Sequence, residues 1–354
     1  MTQQLRVSHV GTGHTGAMVL GQILRSPQLS LTGHLVHSPD KVGRDSGEIV
    51  GVAPVGVVAT ADIAEFLALD CDCVTYMPTG SGRDPSDVID QICAILATGK
   101  DVVAADPQLG FPHSLDETLQ LKFRSACNEG SSTFLSTGIA PGFATDVLQV
   151  HLVSLTAEPT MIRVEERLPS GAFRGQSFFA HFGFGLTPEQ DAQAYQPGAM
   201  IPHMSTPLAL VADALGWTLD GINELRDIAV ADRDYTFPAG TIAEGTIASV
   251  RMRFEGVVAG EPRMSFSFIW SLPDDPPDDW EPRIPRGSAT GRLTRVTIEG
   301  NPTIRVDLHI DGVLPGAQAT AARVVNSIPA VCAAAPGVYS ALELIPRAFG
   351  VLSH

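Results

Sequence analysis

Hydrophobic and polar positions in the first 142 residues switch repeatedly between two periods. Short continuous apolar runs, typical of buried parallel strands, alternate with stretches in which apolar residues recur every three or four positions, as in amphipathic helices. The runs that predict strands are 6–10, 29–37, 55–59, 73–76, 101–105 and 133–136, and the helical stretches begin near residues 17, 61, 85 and 114. This alternation predicts an α/β domain with a doubly wound parallel sheet that helices cover on both faces.

Two of these helices carry terminal signals in the sequence. Asp84 is a suitable N-cap before Pro85, and Gly99 is placed to end that helix. The next helix opens on Ser114-Leu115-Asp116-Glu117, which has the spacing of a capping box, and it continues to Glu129.

The pattern changes at Phe143, where longer alternating runs replace the strand–helix repeat. A helix is predicted over 144–155 and another from Thr206 to Leu215, while an alternating strand covers 161–168. Two antiparallel hairpins are predicted from paired runs that flank turn residues, 247–258 with 264–272 and 293–299 with 303–310. These elements predict an α+β domain with a mostly antiparallel sheet, of which one face is covered by helices and the other is available to a partner.

Helical periodicity returns at 320–329, and we expect this segment to fold back on the first domain. The predicted organisation is therefore a dinucleotide-type domain over 1–142, a substrate and dimerisation domain over 143–315, and a returning C-terminal segment over 316–354. A chain of 354 residues is long enough for two hydrophobic cores.

Composition and charge exclude several classes of partner. Hydrophobic residues make up 44% of the chain and charged residues 18%, which is typical of a globular protein. Since 23 basic and 39 acidic residues give a net charge of −16, nucleic acid and anionic membrane surfaces would be repelled. No apolar run reaches membrane-spanning length, and the first residues, Met1-Thr2-Gln3-Gln4, are followed so soon by a strand that we expect no signal peptide.

The five cysteines predict neither a disulfide framework nor a metal site. Their number is odd, and Cys71-Asp72-Cys73, the one close pair, has no further ligand at zinc spacing. We interpret them as buried thiols of a cytoplasmic protein that binds no metal.

The first strand runs directly into Gly11-Thr12-Gly13-His14-Thr15-Gly16 and then into a helix. In this order, the first glycine permits a tight turn, the second lets a pyrophosphate approach the backbone, and the third lets helix and strand pack closely. The helix N-terminus adds unpaired N–H groups for the phosphates. The motif predicts a dinucleotide site, and the alternative is an ordinary glycine turn.

Ligands of parallel sheets bind beyond the carboxyl ends of the strands, so later strand ends should complete this site. The residues predicted there are Met77, Pro78 and Thr79 after the fourth strand, and Gly138, Ala140 and Pro141 after the sixth.

The end of the second predicted strand bears on the choice of cofactor. A site for NAD usually has an acidic residue there for the ribose hydroxyls, but this chain has His37 and Ser38, followed by Lys41 and Arg44. A hydroxyl and two cations suit a 2′-phosphate, so NADP(H) is the preferred cofactor and NAD(H) the alternative. A solvated turn would account for the same residues.

Four segments together resemble a known group of enzymes. They are Gly11 to Gly16, His37 to Asp45, Gly138-Ile139-Ala140-Pro141-Gly142-Phe143 and Arg323-Val324-Val325-Asn326-Ser327-Ile328-Pro329. The chain resembles, over nearly its whole length, the oxidoreductases related to 2,4-diaminopentanoate dehydrogenase and the native amine dehydrogenases, which share the fold of dihydrodipicolinate reductase. The resemblance implies an NAD(P)-dependent homodimer whose small-molecule substrate binds between the domains, near the subunit interface.

Three departures from the pattern of these relatives concern the substrate side. The His-His, Lys and Ser-Gly-Thr substrate motif of dihydrodipicolinate reductase is absent. The amine-processing relatives have a catalytic glutamate after the fifth strand, where this chain has Asp106-Pro107-Gln108, and the Asn that usually precedes Pro-Gly is Ala140 here.

Hydride transfer to C=N or C=O requires a proton donor near the reacting atom. Asp106, Gln108 and His181 are the candidates, although Asp106 could simply cap the following turn and His181 could be a packed or exposed loop residue. The candidate walls of an apolar substrate pocket are Phe143, Phe182, Tyr195 and Trp270, and their alternative role is core packing.

The leading hypothesis is an NADP(H)-dependent oxidoreductase that acts on a small amine, imine or carbonyl compound. A carbonyl or activated C=C reductase that needs no ammonia is the second reading. The third is a nucleotide-binding sensor or scaffold without turnover.

Overall fold

The computed structural model describes residues 4–77, 85–171, 176–190, 192–272, 277, 279–280, 282, 291–312 and 314–346. The chain forms two compact units. One comprises Met1–Phe143 together with Ala317–His354, and the other comprises Ala144–Gly316.

The first unit contains a six-stranded sheet in which all neighbouring strands run parallel. Its strands are β1 (Leu5–Val10), β2 (Leu29–Leu35), β3 (Cys73–Tyr76), β4 (Asp101–Ala104), β5 (Thr133–Ser136) and the last strand of the chain, β14 (Gly337–Tyr339). Their order is β14-β5-β4-β3-β1-β2. The chain therefore leaves β1 towards one edge and returns to its other side, which makes the space after β1 and β3 the switch point of the sheet.

Helices provide the apolar residues that bury both faces of this sheet. They are α1 (His14–Arg25), α2 (Ser46–Ile49), α3 (Ile63–Ala68), α4 (Pro85–Ala97), α5 (Glu117–Gly130) and the long α9 (Pro315–Cys332). Ile92 of α4 and Phe123 of α5 belong to one core, while Val19 of α1 and Val324 of α9 belong to the other. The predicted doubly wound sheet is confirmed.

The strand predicted over 55–59 is absent from this sheet. Only isolated bridges join Leu35 to Thr60 and Asp45 to Val58. The segment is largely exposed, and the carboxylate of Asp45 accepts the N–H groups of Val55 and Gly56 at 2.9 and 2.8 Å. The Asp45 carboxylate therefore occupies two N–H groups that pairing with a neighbouring strand would require.

The predicted capping box at Ser114 is wrong by two residues. Asp116 is the N-cap of α5, and its Oδ1 accepts the N–H of Leu119 at 2.9 Å. The hydroxyl of Ser114 instead donates to the carbonyl of Phe111 at 2.8 Å, within the preceding 3₁₀ turn. Asp84, the N-cap predicted for α4, lies outside the described residues.

The second unit contains a mixed six-stranded sheet of order β13-β12-β6-β11-β10-β7. Its strands are β6 (Ala157–Pro169), β7 (Gly221–Val230), β10 (Ile247–Val258), β11 (Glu261–Ser271), β12 (Arg292–Asn301) and β13 (Ile304–Ile310), and a separate hairpin pairs β8 (Tyr235–Phe237) with β9 (Gly240–Ile242). β6 and β11 run parallel, and the other neighbours in the sheet run antiparallel. The predicted α+β domain is confirmed.

One face of this mixed sheet carries the core of the second unit. Its helices are α6 (Val147–Val153), α7 (Gln176–His181) and α8 (Ile201–Ala214). Leu208 and Val211 of α8 pack with Phe254 and Phe266 of the sheet, and all four side chains are almost completely buried. Within the described part of the chain, no helix combines the length and the apolar character needed to cross a membrane.

Candidate functional site

The turn after β1 can be built only from glycine at two of its positions. Gly11 has φ +88°, and a Cβ there would lie 2.4 Å from the carbonyl oxygen of Met77. A Cβ on Gly16 would lie 2.4 Å from the carbonyl oxygen of Gly11. The turn is therefore packed tightly against the end of β3, and helix α1 approaches it as closely as the predicted motif requires.

Helix α1 begins directly at this turn with an uncapped N-terminus. Gly13 is the N-cap and has no side chain to offer, and the first turn carries no acidic residue. His14 is exposed, whereas Thr12 and Thr15 are half-buried. The N–H groups of this first turn are thus free of a local carboxylate and suit an anionic ligand.

Lys41 reaches this loop from the short 3₁₀ helix that follows β2. Its Nζ donates to the carbonyl oxygen of Thr12 at 3.0 Å and to the Thr12 hydroxyl at 3.1 Å. Ser38 is the N-cap of that 3₁₀ helix, and His37 and Arg44 are exposed beside it. Of the residues predicted to select the cofactor, Lys41 therefore contacts the glycine loop directly.

The nearest acid downstream of these residues is occupied in backbone hydrogen bonds. Asp45 accepts the N–H of Gly47 at 2.7 Å in addition to those of Val55 and Gly56, and these bonds lower the pKa of its carboxyl. Its role is to hold the segment that follows β2.

Asp106 and Gln108 lie just beyond the end of β4. Asp106 Oδ1 accepts the N–H of Gln108 at 2.9 Å and so caps a short 3₁₀ helix. The Ser136 hydroxyl accepts the N–H of Asp106 at 3.1 Å and donates to its carbonyl at 2.8 Å, which ties the ends of β4 and β5 together. Since β4, β3 and β1 are neighbours, Asp106 and the glycine loop lie at the same edge of the sheet. Met77 follows β3 at this edge, and Pro78 and Thr79 lie outside the described residues.

The loop after β5 is held by helix α9. Gly142 has φ +120°, and a Cβ there would lie 2.2 Å from the amide nitrogen of Gly138. The peptide between Ala140 and Pro141 is cis. Two side chains of α9 hold the loop: Thr320 accepts the N–H of Ile139 at 3.2 Å, and Arg323 donates to the Thr137 hydroxyl at 3.1 Å.

The aromatic residue at the end of this loop also contacts α9. The Arg323 guanidinium lies 5.1 Å from the centre of the Phe143 ring. This distance is within the range of a cation–π interaction. Phe143 thus belongs structurally to the first unit, although the sequence pattern changes at that residue.

The remaining candidates form a cluster inside the second unit. The rings of Phe182 and Trp270 are 4.3 Å apart, and the Tyr195 hydroxyl donates to the carbonyl of Phe182 at 2.6 Å. Arg226 lies 3.9 Å above the Tyr195 ring, and burial raises the pKa of Tyr195 to about 12. His181 is half-buried beside them, 3.2 Å from Gln193 Oε1. The candidates thus fall into two groups, one at the sheet edge of the first unit and one in this cluster.

Sequence reasoning missed a polar residue beneath the glycine loop. His9 is fully buried in β1, with Nδ1 2.8 Å from the Thr75 hydroxyl and Nε2 2.6 Å from the carbonyl oxygen of Gly11. Burial, assisted by nearby His34, lowers the pKa of His9 to about 3. The available signal was a histidine within a predicted strand, two residues before the first glycine of the motif.

Comparison with known proteins shows which family the chain belongs to. The family model of the 2,4-diaminopentanoate dehydrogenase C-terminal domain matches residues 143–351. The chain belongs to the 2,4-diaminopentanoate dehydrogenase family. The predicted resemblance is therefore confirmed, and the family's C-terminal domain model covers the α+β unit together with the returning helix α9.

Relatives of this family member extend the match to the whole chain. An amine dehydrogenase from Streptomyces virginiae is 31% identical over 350 residues, which cover 94% of each chain. The 2,4-diaminopentanoate dehydrogenase of Acetoanaerobium sticklandii is 25% identical and covers 98% of this chain and 95% of its own. The predicted enzyme class, an NAD(P)-dependent oxidoreductase related to the amine dehydrogenases, is confirmed.

A solved structure supports the fold of this family member independently. The amine dehydrogenase from Mycobacterium smegmatis superimposes with a TM-score of 0.78 at 21% identity, covering 99% of this chain and 98% of its own. Among the described residues, no group of three or more His, Cys, Asp or Glu side chains is arranged to hold a metal ion.

Proposed function

We propose that the protein transfers hydride between NADP(H) and a small amine, imine or carbonyl compound. The observation that carries this proposal is the turn at Gly11 and Gly16, where any Cβ would strike backbone and where helix α1 begins without an acidic residue. Such a turn lets a pyrophosphate lie directly on backbone N–H groups. The nicotinamide supplies or accepts the hydride when bound, and the chain supplies orientation and a proton donor.

The preference for NADP(H) rests on Lys41 and Arg44. Lys41 carries its charge to the glycine loop by donating to Thr12, and Arg44, three residues further along the chain, is exposed. Arginine binds a phosphate through two parallel N–H groups, so Arg44 is suited to a 2′-phosphate that NAD(H) lacks.

Two variants separate the roles of these cations. The double variant Lys41→Ala with Arg44→Ala should weaken NADPH binding far more than NADH binding, as followed by fluorescence titration. Arg44→Ala alone should weaken NADPH by about tenfold and leave NADH unchanged, because it leaves the Lys41–Thr12 bonds intact. Equal weakening of both cofactors by Arg44→Ala would contradict a 2′-phosphate role.

We propose Asp106 as the group that exchanges a proton with the substrate nitrogen or oxygen. It is half-buried at the sheet edge that carries the glycine loop, and its Oδ1 is held in place by the N–H of Gln108. Gln108 and His181 are the other candidates, and Phe182, Tyr195 and Trp270 are the proposed apolar wall. The aromatic cluster would favour a substrate with an apolar part.

Steady-state kinetics with NADPH tests the reaction. A panel of small ketones with ammonia, compared with the same ketones alone, should give turnover only when ammonia is present. Turnover without ammonia would favour a carbonyl reductase, and cofactor binding without turnover would favour a sensor.

The role of Asp106 has its own variant. Asp106→Asn keeps an oxygen for the Gln108 N–H but removes the acid, so kcat should fall at least about 100-fold while the unfolding temperature changes little. Asp62→Asn is the matched control, since Asp62 likewise caps a helix, by accepting the N–H of Ala64 at 2.8 Å. Unchanged kcat in Asp106→Asn would eliminate it as the proton donor. The homodimer and the cytoplasmic location remain predictions.

A further inference from the structure

His9 has no solvent contact, and its environment explains why a polar ring is tolerated in β1. It lies between neighbours that are themselves buried, Ser8 and Val10. A buried imidazole is costly unless its two nitrogens find partners. Both nitrogens do, one with Thr75 in β3 and the other with Gly11 in the loop.

The direction of these two hydrogen bonds follows from their partners. The carbonyl oxygen of Gly11 can only accept, so the proton of the neutral ring is on Nε2. Nδ1 must then accept from the hydroxyl of Thr75, which lies closer to Nδ1, at 2.8 Å, than to the Ser8 carbonyl, at 3.5 Å. The result is a directed chain from Thr75 through His9 to Gly11.

This chain orients the peptide group at the start of the loop. The Gly11 oxygen lies 2.6 Å from His9 Nε2, and it is so close to Gly16 that a Cβ added there would lie 2.4 Å away. In a trans peptide the C=O and the following N–H point in opposite directions. With the Gly11 oxygen turned inwards, the N–H of Thr12 points outwards.

Lys41 adds a second constraint, on Thr12 itself. It bonds the carbonyl and the hydroxyl of Thr12, so these two acceptors are already in use. The Thr12 N–H is the group that this arrangement leaves facing outwards for an anionic ligand.

We propose that His9 is a positioning residue for the dinucleotide. By bonding the Gly11 carbonyl, it fixes the loop peptide so that the Thr12 N–H is presented to the pyrophosphate. This inference rests on the proposed function, because it assumes that the loop binds a dinucleotide.

A pair of amide variants separates the two nitrogens of the ring. The amide of Gln reaches about as far as Nε2, whereas the amide of Asn reaches only as far as Nδ1. His9→Gln can therefore still donate to Gly11, and His9→Asn cannot. Both variants place an amide in the same buried site, so a general loss of packing should affect both.

The measurements are the Kd of NADPH by fluorescence titration and the unfolding temperature of the full chain. His9→Asn should raise Kd by about tenfold and His9→Gln by no more than about threefold, while both unfold at similar temperatures. His34→Asn is the control: His34 is also buried and bonds the Ser46 hydroxyl at 3.0 Å through Nδ1, which Asn can imitate. Its Kd should match that of the parent.

Two results would overturn the inference. If the parent binds NADPH tightly and the Kd of His9→Asn is no higher than that of His9→Gln, His9 does not position the loop. The proposed function then still stands. If the parent binds neither NADPH nor NADH, the proposed function fails and the role of His9 fails with it.

Discussion

Single residues of the first unit show how burial decides which ionisable groups carry charge. Burial lowers the pKa of His9 to about 3 and, with the charge of Lys41, that of His34 to about 4. The same effect acts in the opposite direction on an acid, because it raises the pKa of Asp101 to about 6. Each shift favours the neutral form, as expected where solvent is excluded.

Asp101→Asn should stabilise the protein at neutral pH. In the unfolded chain the carboxyl has a pKa of about 3.9, so the folded state holds its proton more tightly, and stability is lost as pH rises from about 4 to about 6. The Asn oxygen can still accept the N–H of Thr133, which Asp101 bonds at 2.7 Å. Denaturant unfolding at pH 7.5 should show a gain on the order of 1 kcal/mol over the parent, after allowance for partial exposure. A gain of equal size at pH 4 would contradict this explanation.

Gly16→Ala should abolish tight cofactor binding through one added methyl group. Its Cβ would lie 2.4 Å from the Gly11 oxygen, so the loop must move. We expect the Kd of NADPH to rise by more than about tenfold. Gly21→Ala on the same helix is the control, since its Cβ would meet only the flexible end of Arg25, at 3.3 Å. A parent-like Kd in Gly16→Ala would show that the loop does not bind the phosphates.

The sequence predicted the glycines of the site more readily than the side chains that hold the glycine loop in place. A glycine motif is legible because its spacing is local, whereas His9 acquires its role from Thr75, which lies 66 residues away along the chain. The sequence predicted that Lys41 binds a phosphate. It did not predict that Lys41 contacts Thr12, because this contact depends on how the segment after β2 folds. Periodicity identifies elements and leaves such contacts undetermined.

Whole elements were predicted well where they are long and periodic. The hairpin of β10 and β11 matches its predicted runs closely, because both strands alternate around a Gly-containing turn. The strand predicted at 55–59 failed, because a short apolar run does not reveal that Asp45 occupies its hydrogen-bond donors. Short elements depend on tertiary contacts more than on their own pattern.

Helix α5 provides a test of the corrected cap. Asp116→Ala removes the acceptor of the Leu119 N–H and should lower the free energy of unfolding by about 1 kcal/mol, measured by denaturant titration. Ser114→Ala, at the position that the sequence pattern favoured, should cost less, because its hydroxyl bonds only the preceding turn. The reverse order of the two effects would restore the original prediction of a capping box.

Helix α9 and strand β14, near the end of the chain, complete the first unit of the molecule. Strand β14 extends the parallel sheet beside β5, and helix α9 supplies buried side chains to the core that contains β1. The loop from Thr137 to Phe143 is in turn held by Thr320 and Arg323. Folding of the dinucleotide-type unit therefore depends on residues that are synthesised after the entire second unit.

This dependence predicts which of the two units a core substitution in α9 destabilises. Ile328 is completely buried among residues of β1, α1 and β4, and Ile328→Ala should cost about 2 to 5 kcal/mol. Hydrogen exchange followed by mass spectrometry should show faster exchange in peptides from Met1–Phe143 and little change in Ala144–Gly316, because locally destabilised regions open as units. Gln318→Ala, at an exposed position of the same helix, should leave both unchanged. Equal acceleration in the two units would mean that they unfold together and that α9 does not belong energetically to the first.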